Sequence, residues 1–133
     1  MKTVRAFTWL DLIVCASFAL PIASDVTLWL LSAVSVQLGW APISVSTAAA
    51  GFFVNLAGMF GVLWNIVMLK NADKKLHHVD LVARVWLIGV IAFYIAEFDL
   101  SPLFAVFIVT EVLGGWFKWN WLRTIKRSSA NRA

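Results

Sequence analysis

Five ionisable residues sit where ionisable residues are costly: Asp11, Asp80, Arg84, Glu111 and Lys118 all fall inside long apolar runs. On insertion scales a charge at the centre of a membrane helix costs about 2.5–3.5 kcal/mol, so each needs a partner or a function. Asp80 and Arg84 are four residues apart and share one helical face, with Tyr94 roughly on that face nearer the other end. A salt bridge that fixes helix packing is the plain reading of the pair. Glu111, Gly114, Gly115 and Lys118 share a face of the next run. Lys118 is placed to snorkel to the interface, inside a belt of Trp116, Trp119 and Trp121. Glu111 cannot snorkel. It lies about nine residues from either end of its run, or about 13 Å deep at the helical rise. It also has no cation within a turn of its own helix. Asp11 is shallower, a turn or so from the end of the first run.

With Asn65, these residues come from four separate runs, and most fall toward the ends marked by lysine and arginine. The pattern predicts one buried polar cluster with Arg84 as its central cation. Three acids face two bases, so Glu111 is expected to carry a proton in the burial. A second stripe supports this arrangement. Gly51, Asn55, Gly58, Gly61 and Asn65 recur at helical spacing and make one face small and polar. Small residues let a second helix approach, and each Asn can hydrogen-bond across the contact. Structural glue is the plain reading, and the wall of a ligand pocket is the sharper one.

Catalytic and metal chemistry has little to build on. His77 and His78 are the only histidines and fall in a polar turn, so bis-histidine haem and three-histidine zinc sites are excluded. Both are expected to be solvated. No GxSxG, HExxH or phosphate loop occurs. The single cysteine, Cys15, excludes an internal disulfide and a CxxC motif, and reads as apolar filler. No catalytic residue, metal site or cofactor is expected.

These residues need helices to hold them. Of the 133 residues, 62% are hydrophobic and 14% charged, with a mean hydropathy of +0.86. A soluble domain of this size cannot hide so much apolar surface, so lipid must take the excess. Contiguous apolar stretches such as Phe52–Phe53 and Phe107–Val109 rule out the strict alternation of barrel strands. The expected fold is an all-α, antiparallel bundle of four membrane helices forming one domain. The spans run over about 6–23, 44–69, 79–98 and 102–122, with a short interfacial helix at 26–38 and a basic tail at 123–133. Ser24 and Asp25 read as the start of the interfacial helix, and Gly39 and Pro42 as its end. The first span begins like a signal peptide, but Asp11 and Pro21 argue that it is retained.

Charge sets the orientation. Lys2 and Arg5, then Lys70, Lys74 and Lys75, then Arg123, Lys126, Arg127 and Arg132 fall on one side of a four-span map; that is nine of the eleven basic residues. The two opposite connections hold only Asp25, Glu97 and Asp99. The positive-inside rule places both termini in the cytoplasm of a cell with an inner membrane. The net charge of +4 is read as orientation and contact with anionic headgroups, not as nucleic-acid binding.

The pattern Asn55-Leu56-x-Gly58-x-x-Gly61-x-x-Trp64-Asn65, then Asp80-x-x-x-Arg84, then Glu111-x-x-Gly114, resembles small uncharacterised bacterial four-span inner-membrane proteins. The likeness covers most of the chain and implies no activity. The layout is also loosely similar to DoxX-like and sigma-2-receptor-like four-helix families. Three functions fit. One is non-enzymatic binding or transport of an apolar or amphipathic small molecule or lipid in the bundle. Another is an accessory or assembly subunit of a larger membrane complex, docking through its glycine faces, as a homo-oligomer or with a membrane-protein partner. The third is a lipid-modifying enzyme. The site residues expected to matter are Glu111, Arg84, Asp80, Asn65, Asn55, Asp11, Tyr94 and Lys118.

The topology is directly testable. Reporter fusions after Ala133 and within residues 25–40 should report opposite sides of the membrane, with the C-terminus inside. An external C-terminus would sink the map.

Overall fold

Pro21 divides the first apolar stretch in two. Proline has no N–H to donate, and its ring crowds the carbonyl four residues back. Helix α1 (Lys2–Ala19) therefore stops short of it, Leu20 is extended (φ −120°, ψ 140°), and Pro21 opens α2 (Pro21–Gln37) at the first helical position. The two helices meet at 107°. The expected first span through Ala23 thus ends four residues early, and Ser24 and Asp25 lie inside α2 rather than starting it. A break of this kind leaves carbonyls without helical partners. Asn55 supplies one: its Nδ2 donates to Phe18 O at 2.9 Å and to Ser24 Oγ at 2.8 Å.

The computed structural model describes residues 2–44, 47–71 and 73–130, with side chains as far as Thr124. After α2 the chain turns at Gly39, whose φ of +78° is the left-handed conformation glycine tolerates. Helix α3 (Ala48–Lys70) begins behind Thr47, whose hydroxyl accepts from Ala50 N at 3.1 Å. The expected start near Ser44 borders residues 45–46, which lie outside the described residues. Helix α4 (Lys74–Glu97) begins behind Asp73, whose Oδ1 accepts from Lys75 N at 2.9 Å. That cap shortens the expected turn. Lys74, Lys75, His77 and His78 are the first turns of α4, not a loop. A 3-10 turn at Pro102–Phe104 leads into α5 (Ala105–Ala130). Arg123, Lys126 and Arg127 continue that helix, where a tail was expected, and Arg132 lies outside the described residues.

Helices α3 and α4 and the segment Pro102–Thr124 are each long and apolar enough to cross a membrane, and the bent α1–α2 pair brings the number to four if it counts as one span. Helix α1 alone carries Lys2, Arg5 and Asp11 in its 18 residues.

The helices pack chiefly as two pairs, α1 on α3 and α4 on α5, with α1 also touching α5 and α2. Close approach in the first pair depends on glycine. A Cβ at Gly58 would lie 2.5 Å from Phe18 C and 2.6 Å from Ala19 N, both backbone atoms. Cys15 fills the space beside Gly61. The distribution of burial is inverted relative to a water-soluble domain. Among the described residues only Val4, Met68 and Leu122 are buried hydrophobics, whereas Thr8, Ser24, Ser35, Asn65, His77, Asp80, Arg84, Ser101 and Lys118 are buried polar groups. Trp29, Phe53, Trp86 and Trp116 are among many large apolar side chains left exposed. A polar inside and an apolar outside suit a lipid surround. At the far end, Ser35 Oγ donates to Ala41 O at 2.7 Å and lies 2.6 Å from Ser101 Oγ, which ties α2 to the turn before α5.

Gly58→Leu should lower thermal stability in detergent by the overpacking cost of about 1–3 kcal/mol, because rigid backbone blocks the new side chain. Gly89→Ala, where nothing lies within 4 Å of an added Cβ, should melt like the parent or slightly higher. Equal melting of Gly58→Leu and the parent would mean that α1 does not cross α3 at this glycine.

Candidate functional site

One guanidinium gathers three carboxylates from three helices. Arg84 on α4 donates from Nε to Asp80 Oδ2 at 2.9 Å, from Nη1 to Glu111 Oε2 on α5 at 2.6 Å, and from Nη2 to Asp11 Oδ2 on α1. Arginine is suited to this because its donors point in fixed, divergent directions. Asp80 is the second hub. Its Oδ2 also accepts from Lys118 Nζ, and its Oδ1 accepts from Trp64 Nε1 of α3 at 2.7 Å. Thus all four long helices contribute to one network. The side chains of Lys118, Asp80 and Arg84 are 2%, 5% and 8% exposed, against 14% for Glu111 and 15% for Asp11. The two cations and the shared acid are sealed inside, while the outer acids border the surroundings.

Local structure makes room for this. Asp80 and Arg84 are one turn apart, so their side chains meet along α4. Gly114 lies opposite: a Cβ there would come within 2.9 Å of Arg84 Nη1. The glycine on α5 is what lets a guanidinium lie flat between the two helices. Phe7 and Phe117 stack at 5.3 Å beside the same contact and help hold α1 to α5.

The structure brings together Asp11, Asp80, Arg84, Glu111 and Lys118. Of the two readings of Lys118, snorkelling or membership of the cluster, the structure shows the second: it turns inward, because Asp80 offers a buried anion within reach. Glu111 lacks a cation only along its own helix, and Arg84 supplies one from α4. Asn65 stands outside the network: its Nδ2 donates to Gly61 O at 2.9 Å and sits 3.8 Å from Cys15 Sγ. Asn55 serves the α1–α2 break instead. Tyr94 is half-exposed and belongs to an aromatic group with Phe93 and Phe98.

Two residues carry more than their sequence positions suggest. Trp64 donates into the network, as an indole N–H deep in an apolar run requires an acceptor. His77, expected in solvent, is 4% exposed and stands edge-on to Trp121 at 4.8 Å.

Beside the network, α4 and α5 line a groove of about 880 Å3. Leu81, Val85, Ile88, Gly89, Val112 and Gly115 line it, and Trp86, Phe93, Tyr94, Trp116 and Trp119 complete its walls. Arg84 and Glu111 are the only charged residues in that lining. Glu111 Oε2 is engaged by Arg84, while Oε1 makes no hydrogen bond among the described residues. Among the described residues no three of His, Cys, Asp and Glu come together in a way that would hold a metal ion. Searches of protein-family models, curated proteins and solved structures find no match to the chain.

The charge count gives an ordered prediction. Arg84→Ala leaves three acids with Lys118 alone, and breaking a buried pair by removing one partner costs about 3–5 kcal/mol. Arg84→Lys should recover part of that loss by restoring the charge, but not all of it, since a lysine ammonium lacks the wide, fixed fork that reaches carboxylates on three helices. Glu111→Gln leaves two acids and two bases, so its melt should stay near the parent's. Thermal melts in mild detergent rank the three, and equal melting of Arg84→Ala and Glu111→Gln would overturn the hub assignment.

Proposed function

We propose that this chain is a multi-pass inner-membrane protein of four antiparallel spans, with both termini cytoplasmic, that binds or transports an apolar or amphipathic small molecule or lipid. The pairings Gly58 with Phe18 and Gly61 with Cys15 run in opposite chain directions. So do Arg84 with Glu111 and Asp80 with Lys118. Both support antiparallel neighbours. The bent α1–α2 pair supplies the fourth span, with α2 lying at the outer interface.

The observation that carries the ligand reading is the groove. It is apolar along its length and has one charged pair at its floor, which is how small-molecule sites are generally built: a large apolar surface with few placed polar groups. Its volume falls in the usual range of about 300–1,000 Å3 for such sites. Glu111 Oε1 offers an open acceptor to the polar end of an amphipathic molecule, and the walls take its apolar part. The groove opens sideways between α4 and α5, so a molecule dissolved in lipid could enter without crossing water.

The docking-subunit reading loses its main surface. Gly58 and Gly61 are covered by α1, and Gly114 faces Arg84. Those glycines are spent inside the chain. Catalysis on lipid would need a nucleophile or activated water near Glu111, and the neighbouring groove residues are hydrocarbon and aromatic.

Gly89 makes the test clean. It lines the groove, and nothing lies within 4 Å of an added Cβ. Gly89→Phe should fill the groove while leaving the helices in place. Native mass spectrometry from mild detergent should then show a small molecule or lipid retained by the parent, reduced about tenfold or more in Gly89→Phe, a loss equivalent to 1.4 kcal/mol of binding. An unchanged adduct in a normally melting variant would remove the groove from the proposal. A dimer lost on the same substitution would assign the groove to a second copy.

A further inference from the structure

At the opposite end of the network from the groove's aromatic group, the ends of four helices enclose a second, smaller cavity of about 40 Å3. Arg5 and Thr8 of α1, Lys70 and Asn71 at the end of α3, His77 of α4 and Trp121 of α5 line it, beside three apolar residues. No Asp or Glu does. Arg5 and Lys70 form no ion pair among the described residues, and both are exposed. His77, by contrast, is 4% exposed, and among the described residues its buried Nδ1 makes no hydrogen bond of good geometry, although the Asn71 backbone lies beside the ring. A buried nitrogen left unsatisfied is costly, so a polar group in the cavity would stabilise it.

The surroundings select its charge. Two unpaired cations stand at the wall. The first turns of α1 and α4 also lie here, and their N–H groups and partial positive charge outnumber the one helix end, that of α3, which presents carbonyls. Thr8 adds nothing to the donors facing the cavity, because its hydroxyl already donates to Val4 O at 3.0 Å. A cavity needs only about 10–15 Å3 of this measure to admit one water, so this one exceeds a single-water site and is of the order a small polyatomic ion needs. Trp121 and Lys70 are residue types that favour the headgroup level of a bilayer, where phosphate is the abundant anion.

We propose that this cavity is a phosphate site, which holds a phosphate oxyanion of a lipid headgroup or of the solution between Arg5, Lys70 and His77. The site is independent of the groove. Its occupant neutralises the end of the molecule at which four helices bring basic residues together, and it supplies the acceptor that lets His77 Nδ1 donate.

The full chain, labelled with 15N in its two histidines, tests this in maltoside detergent micelles, which carry no phosphate. Two additions are compared: phosphatidylglycerol, and inorganic phosphate against chloride at equal ionic strength. His78 is the internal control, being exposed with Nδ1 2.7 Å from Lys74 O. The His77 Nδ1 resonance should shift while that of His78 stays. A shift with phosphatidylglycerol alone assigns a lipid phosphodiester, and a shift with inorganic phosphate assigns a free oxyanion. The double variant Arg5→Gln, Lys70→Gln alters only exposed side chains and should weaken the apparent affinity about tenfold or more. His77→Phe, which keeps a ring against Trp121, should abolish any thermal stabilisation by the same additions. A His77 resonance unmoved by either addition, or an affinity unchanged in the double variant, would overturn the proposal and leave a water-filled cavity.

Discussion

Everything in this structure is arranged around one buried guanidinium. Arg84 cannot lose its charge and cannot be left unpaired away from water, so the helices must bring anions to it. Asp11, Asp80 and Glu111 meet that demand from three helices. Asp80 in turn anchors Lys118 and receives Trp64, which draws in the far side of α5 and the fourth helix. In a lipid surround there is little hydrophobic force to press helices together, and packing, hydrogen bonds and charge pairs must specify their arrangement. The few buried hydrophobics agree with that. Charge complementarity sets which helix neighbours which, and the glycines set how near they come.

The same rule governs the backbone. Pro21 interrupts the first apolar stretch, and an interrupted helix exposes carbonyls that must be satisfied. Asn55 is placed to do so, one face-repeat away from Gly58, where α1 comes closest to α3. A broken helix, a neighbouring glycine and an asparagine thus form one device. It directs α2 away at 107° while keeping α1 against α3. The pair of buried hydroxyls, Ser35 and Ser101, holds the other end of α2 in the same economical way.

The network is uneven in a manner that bears on function. Its cations and shared acid are sealed, but Glu111 borders the groove between α4 and α5. That places one carboxylate beside an otherwise apolar surface. At the opposite end of the network, His77 is buried beside Arg5 and Lys70, so the two ends of the molecule present different chemistries to their surroundings.

Composition and periodicity determined a great deal here. Apolar runs long enough to span lipid, Asp80 and Arg84 on one face, and the small face around Gly58 all follow from spacing along a helix. Spacing also marks Glu111 as deep and Asn55 as needing a partner. What it cannot fix is the rotation of one helix relative to another. Only the tertiary structure decides that Lys118 turns inward to Asp80, that Trp64 joins the network while its neighbour Asn65 does not, and that Asn55 serves a broken helix. The helix ends tell the same story on a smaller scale. A polar run containing two lysines and two histidines reads as a turn, yet Asp73 caps it into α4 and packing on Trp121 buries His77. A helix face is a property of local sequence. Its partner is chosen by charges and shapes far away in the chain, and these meet only when the helices do.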